Sequence, residues 1–420
     1  MTPCLFALVD GGGTVPPELG AARRLVARGH RVDVLAEDSM FQEVAAVGAT
    51  FRPWVQAANR ANRQPEHDLL RDWECRNPLQ LITRTLDGVL ATPAPAYAAD
   101  VTAVLQEFRA DLVVCSFFAI GAMVAAEAAA TPYAVLMPNT YVLPAAGKPP
   151  FGLGAQPATG LVSRIRDRAV TALVQRAWNK GLDRVNNLRN SYGLEPISDI
   201  WDQIRQANKV LVLTSRSFDF PAELPSTVHY VGAVLDDPEW AADQPWTPPA
   251  GDGPLILVAM SSTFQDQTDC LQRVIDGLAT LPVRGIVTTG QAIDPKSLRP
   301  RINVAVVSAA PHSEVLKHTK AVVTHGGHGT VVRSLAAGVP MVVLPQGRDQ
   351  ADNAARVTAR GAGVTLKASA SSADIADSVR LILNDACFRQ AAERMGQVIR
   401  ADTESGTLVT ELENLLSTTD

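Results

Sequence analysis

The chain has 420 residues, enough to bury two hydrophobic cores. Its composition, 46% hydrophobic and 19% charged, is that of a soluble α/β protein, and a net charge of -5 excludes a broad nucleic-acid-binding face. No apolar run reaches the about 18 residues of a membrane span. The five cysteines are scattered and lack CxxC spacing, which points to reduced thiols and a cytoplasmic protein rather than a disulfide frame or a zinc site.

In chain order, CLFALVD predicts a strand and PPELGAARRLVARGH a helix ending near Gly29. RVDVLAE and MFQEVAAVGA repeat the pair, and such alternation builds a parallel sheet with helices on both faces. Residues 55–78 are polar and irregular, as expected of a functional loop. Helices follow in PLQLITRTLDGVLA and AADVTAVLQEFRA, then strand DLVVCSF, helix IGAMVAAEAAA and strand YAVLMPNTYV. The Pro- and Gly-rich 143–165 region predicts a second variable loop, and KVLVLTS closes the first sheet. The Arg-rich stretch 160–176 reads either as a solvated helix face or as a rim for a membrane surface.

These signals divide the chain into a Rossmann-like domain at 1–217, a linker at 218–253 and a second Rossmann-like domain at 254–420. The linker is rich in Pro and Asp, and its strand VHYVGAV is expected to be the first strand of the second sheet. The last helix, SGTLVTELENLL, is expected to pack back on the first domain. Ligands of doubly wound sheets bind at the carboxyl ends of the strands, so two facing halves make one cleft with a different ligand on each wall.

The strongest chemical signal is THGGHGTVVRSLAAGVPMVVLPQGRDQADNA, from Thr324 to Ala354. A strand runs through a Gly-rich turn into a helix. Unpaired N–H groups at a helix N-terminus and close backbone approach at glycines suit a diphosphate. His325, Gly327, His328, Gly329 and Thr330 form that cradle, and the carboxylate and amide of Asp349 and Gln350 suit sugar hydroxyls. Ser261-Ser262-Thr263, after strand PLILVAM, read as a helix-opening turn, with Ser262 toward phosphate and Ser261 toward base or ribose.

The thirty-residue segment resembles the donor-binding signature of GT-B-fold, nucleotide-sugar-dependent glycosyltransferases, in particular UDP-glycosyltransferase-like enzymes of actinobacterial antibiotic and natural-product pathways. The resemblance implies two Rossmann-like domains facing across a cleft and an inverting transfer that needs no metal or other cofactor. No Asp-x-Asp motif is present. It also marks departures. The family's base-stacking aromatic falls near Ala309, leaving backbone around Ala310 to read the base, and its Gln falls on His312. Its ribose-binding Glu falls on Arg333, which only donates and suits phosphate; this favours dTDP over UDP.

Residues Gly13 to His30 resemble the family's first loop and helix. There the catalytic His falls on Thr14, and the carboxylate that orients it falls on Ser116. Three readings remain open. Asp10, or Asp72 and Glu74 in the loop, supplies the base; or the acceptor is already nucleophilic; or the protein binds donor without catalysis, as an auxiliary. Trp73, Asn139 and Tyr141 are expected to shape the acceptor loops. The expectation is therefore a cytoplasmic glycosyltransferase, monomer or homodimer, moving a sugar from a dTDP- or UDP-sugar to a small lipophilic acceptor such as a polyketide, with a lipid or cell-envelope acceptor as the alternative.

Overall fold

The computed structural model describes residues 2–417; residues 1 and 418–420 of the two expected domain ranges lie outside them. Among the described residues, seven parallel strands form the first sheet, in the order β3-β2-β1-β4-β5-β6-β7. They are β1 (Pro3–Ala7), β2 (Arg31–Ala36), β3 (Thr50–Pro53), β4 (Leu112–Ser116), β5 (Tyr133–Met137), β6 (Lys209–Val212) and β7 (Val228–Tyr230). Six more, β8 (Leu255–Ala259), β9 (Arg284–Thr288), β10 (Val304–Val307), β11 (Thr319–Thr324), β12 (Met341–Val343) and β13 (Gly363–Thr365), form the second sheet in the order β10-β9-β8-β11-β12-β13.

Strands β1, β4, β5, β8 and β12 are continuous apolar runs buried along nearly their whole length, as parallel strands covered on both faces must be. Each sheet separates two hydrophobic clusters, one under each helical layer. The strand order reverses between β1 and β4 in one sheet and between β8 and β11 in the other. Such switch points open a crevice at the strand ends. The loops that leave them carry Asp10–Thr14, Ser116–Phe118, Ser261–Thr263 and His325–Thr330, so topology brings together residues up to three hundred positions apart.

One expectation is corrected. The strand in VHYVGAV does not start the second sheet: Val228 pairs with Val210 and Tyr230 with Val212, extending the first sheet beyond β6. Its three residues are only half-buried, as suits an edge, and the segment between β6 and β7 is long enough for a parallel crossover. The final helix, Thr407–Ser417, sends Leu408, Leu412 and Leu415 into the cluster that contains Cys4, Phe6 and Leu8 of the first sheet. Among the described residues no helix is long and apolar enough to cross a membrane.

Candidate active site

Between the two sheets lies a cavity of about 670 Å³, lined from both sides. The sheets come very close at its floor. Gly12, with φ +70°, sits where a Cβ would overlap the Thr263 side chain, so this turn tolerates only glycine at that point.

On the donor wall, β11 delivers Thr324 and His325 to the start of the helix His328–Ala336. A Cβ on Gly327 would overlap His325 Nε2, so the missing side chain leaves room for the imidazole. His325 Nδ1 lies 3.3 Å from Thr324 Oγ1 and 3.4 Å from the Ala259 carbonyl. Burial pushes its pKa down to about 4, so the ring is neutral at neutral pH and acts as a hydrogen-bonding group, not a cation. Gly327, Gly329 and Thr330 line the cavity around it. His328 opens the helix with its ring packed toward Phe218, centroids 5.9 Å apart, and among the described residues neither ring nitrogen has a hydrogen-bond partner of good geometry.

The β8 turn differs from expectation: Ser261–Thr263 open no helix, and the next helix begins at Thr268. Ser261 lines the cavity, and its Oγ accepts from the Thr263 N–H at 3.2 Å and lies 3.0 Å from Thr263 Oγ1, which holds the loop. Ser262 lines the cavity.

Arg333 lines the cavity and is anchored within the protein: its Nε donates to the Gly329 carbonyl at 3.0 Å, and NH1 reaches the Asp236 carbonyl and Asp237 Oδ1 at 3.3 and 3.4 Å. Asp237 also accepts from the Ser313 N–H at 3.0 Å, so the linker is pinned to the start of the helix His312–His318. Three residues on, Trp240 lines the cavity together with Ala309 and Ala310. An aromatic is thus supplied to this pocket from the linker, which a reading of position 309 alone misses. His312 Nε2 lies 3.0 Å from Thr288 Oγ1, and burial pushes its pKa down to about 4.

The pair expected to bind sugar, Asp349 and Gln350, is engaged within the protein. Asp349 Oδ2 accepts from Asn139 Nδ2 at 2.8 Å, across the cleft, and from Asn353 Nδ2 at 2.7 Å. Gln350 is buried; its Oε1 accepts from the N–H groups of Gln346 and Gly347, and its Nε2 donates to Gln265 Oε1 at 2.8 Å. Gln350 therefore shapes the loop, while Asp349 keeps Oδ1 for a ligand.

On the acceptor wall all three candidate carboxylate bases are engaged elsewhere. Glu74 faces outward, where Arg84 donates to it at 2.9 Å, and it is not part of the cavity wall. Asp72 is bound by Arg348 at 2.8 and 2.9 Å and by Gln265 at 3.2 Å. Burial alone would raise its pKa, but the Arg348 guanidinium outweighs it and holds the carboxyl below the ordinary range. Asp72 is an interdomain bridge. Asp10 is likewise spent: it accepts from Arg63 at 2.6 Å, Ser39 at 2.8 Å and the Gly12 N–H at 2.9 Å, and despite burial the charges of Arg63 and Arg60 keep it ionised.

Thr14 caps the helix Val15–Ala27 and lines the cavity, whereas Ser116 is fully buried behind it. Trp73 meets Phe264 of the second domain edge to face at 5.1 Å, and Tyr141 is buried in the wall. Leu70, Leu81, Phe117, Val142 and Trp178 add apolar surface to this wall, beside polar Gln64, Asp68 and Asn77. Among the described residues no group of three or more His, Cys, Asp and Glu side chains could hold a metal ion.

The sequence model of the UDP-glucoronosyl and UDP-glucosyl transferase family matches residues 160–403. The chain is similar to 4'-demethylrebeccamycin synthase of Lentzea aerocolonigenes, 31% identical over 93% of this chain and 94% of that protein. It is also similar to demethyllactenocin mycarosyltransferase of Streptomyces fradiae, 25% identical over 99% of this chain and 87% of the relative. Among solved structures, the kitacinnamycin glycotransferase superposes with a TM-score of 0.77 at 24% identity, covering 99% of both chains.

Proposed function

Given that the chain belongs to the UDP-glucoronosyl and UDP-glucosyl transferase family and is a glycosyltransferase with the two-domain GT-B fold, we propose that it moves a sugar from a dTDP- or UDP-sugar to a small lipophilic acceptor of the antibiotic or natural-product class. One observation carries this reading: a single cavity joins the Gly-rich cradle at His325–Thr330 to an apolar wall at the first sheet. The cradle offers backbone N–H groups, a helix N-terminus and a neutral imidazole to a diphosphate. Asp349 Oδ1 faces the sugar, Trp240 offers an aromatic face to the base, and the wall of Leu70, Phe117 and Trp178 takes the acceptor.

The acceptor oxygen or nitrogen attacks the anomeric carbon from the side opposite the leaving diphosphate, inverting it; the cradle stabilises the departing charge without a metal. The relatives named for rebeccamycin and mycarose chemistry support an antibiotic acceptor. The fixed Arg333–Asp237 pair, standing where a ribose-binding carboxylate would, supports dTDP over UDP.

The test compares dTDP-glucose with UDP-glucose over a panel of aromatic and polyketide acceptors, reading product by mass spectrometry. Transfer to aromatic acceptors, faster with dTDP-glucose, is expected. Nucleotide binding with no transfer to any acceptor would sink the reading and leave a donor-binding auxiliary.

A further inference from the structure

We infer that the outward face of the helix Leu161–Trp178 is a docking surface for an anionic lipid bilayer, which seats the protein on a membrane beside its cavity. The inference goes beyond the transferase reading above, and lipid binding can be measured without any transfer.

Among the described residues, large apolar side chains exposed to water are scattered, no more than one to an element, with one exception. The helix Leu161–Trp178 exposes four: Leu161 by 74%, Val162 by 83%, Ile165 by 58% and Leu173 by 60%. Scattered apolar residues are ordinary, whereas a contiguous group marks a surface that is covered in use. Leu161, Ile165, Ala169 and Leu173 recur every four residues, with Val162 and Ala172 falling between them on the same side, and all six are exposed. The opposite face is built otherwise. Asp167 is buried there, and Thr171, Val174 and Trp178 line the cavity. The inner face is thus complete, and the apolar stripe is surplus to what packing the helix needs.

Charge says what covers the stripe. Arg164 and Arg168 border one side of it, Arg166 borders the other, and Arg176 lies near its C-terminal end; all four are exposed. Arg166 donates to Asp167 at 3.0 and 2.7 Å, while among the described residues Arg164, Arg168 and Arg176 have no acidic partner. The helix carries four arginines and one aspartate, a local charge of +3 in a chain of net charge -5. Long basic side chains lay their stems along apolar surface and keep their heads in the polar layer. An apolar stripe bordered by such heads suits a helix lying in a bilayer interface, where anionic headgroups meet the arginines. A protein partner suits it less, because the stripe holds no aromatic anchor.

The inner face gives the docking a use. Val174 and Trp178 of this helix belong to the cavity wall, so an acceptor dissolved in the bilayer has one helix between it and the cavity.

The experiment floats the whole protein with vesicles of phosphatidylglycerol and phosphatidylcholine in equal parts, and with vesicles of phosphatidylcholine alone. Binding to the first, little binding to the second, and release as salt is raised are expected. Arg164→Gln with Arg168→Gln should weaken binding about thirtyfold, at about fivefold per charge. Leu161→Gln with Ile165→Gln should weaken it about tenfold or more. All four positions are exposed, so both double variants should keep the wild-type unfolding midpoint and wild-type transfer from dTDP-glucose to a water-soluble phenol. No binding to either vesicle, equal binding to both, or double variants that bind like wild type would overturn the inference. So would a wild-type dimer in sedimentation that Leu161→Gln with Ile165→Gln dissociates, because a second copy would then cover the stripe. Absence of transfer to any acceptor by wild type would instead bring down the transferase reading and leave the lipid binding standing.

Discussion

At position 325 the imidazole is neutral because the protein takes it out of water, not because a partner neutralises it. A diphosphate held in the proposed cradle would therefore be met by hydrogen bonds and the helix terminus, not by a cationic histidine. The sign follows from the direction of the shift. An imidazole held near about 4 stays unprotonated through the physiological range, so donor binding involves no proton exchange there. Affinity for dTDP-glucose, whose phosphates carry no group titrating near neutrality, is expected to stay level between about pH 6 and about pH 8 by calorimetry. A tenfold fall per pH unit would show that His325 binds as a cation. The same residue was legible in the sequence because the Gly-rich turn around it, Thr324 to Thr330, is contiguous. The burial of Glu18 was not legible: an acid in the first turn of a helix reads as a partner for the helix dipole, yet Glu18 is fully buried. The Asp237 partner of Arg333 was not legible, because Asp237 lies in a linker whose path local sequence does not specify.

At the scale of elements, the 55–78 loop is an organised bridge. Arg60 and Arg63 tie it to Glu37, Glu43 and Asp10, and Asp72 carries it across the cleft to Arg348. Arg348 holds a left-handed backbone, φ +54°, and also donates to Thr263 Oγ1 at 3.1 Å, so one side chain locks three loops around the donor site. The pair is partly solvated on the arginine side, so its rupture costs less than that of a fully buried pair: about 1.5–3 kcal/mol, the worth of charge-assisted hydrogen bonds. Asp72→Asn is expected to speed amide hydrogen exchange across 55–78 and to raise KM for the sugar donor about tenfold or more, while leaving the rest of the first sheet protected. Unchanged exchange in the loop would mean that Arg60 and Arg63 suffice to hold it. Period and composition made this loop visible as an interruption, and the β strands visible as strands. They did not reveal pairing: VHYVGAV reads as a strand, yet which edge it joins depends on the open edge of β6.

At the scale of the molecule, the two sheets are held in one geometry by a buried hub rather than by the linker alone. Asp219 lies at the start of the linker. It accepts from Arg356 of the second domain at 2.9 and 2.8 Å, and from Lys148 at 2.7 Å, Tyr230 at 2.7 Å and the Tyr141 N–H at 3.0 Å in the first. Burial would raise its pKa, but the charges of Lys148 and Arg356 override it and hold the carboxyl at about 2. Its contribution is therefore complete above the unfolded value of about 3.9 and is lost as pH falls toward about 2. Lys148, pushed down to about 8 chiefly by burial, keeps its proton at neutral pH because Asp219 is there. Asp219→Asn removes the carboxylate that pairs directly with two buried cations. Breaking a buried pair costs about 3–5 kcal/mol, and here the cost falls on the contact between domains. The expected outcome is an unfolding curve that separates into two transitions, the first-domain one followed by the fluorescence of Trp54 and Trp201, which are buried in its core. Because the cleft exists only while the sheets face each other, transfer activity should disappear with the earlier transition. A single transition at the wild-type midpoint would assign the domain geometry instead to the last helix, whose Leu408, Leu412 and Leu415 return the chain to the first sheet.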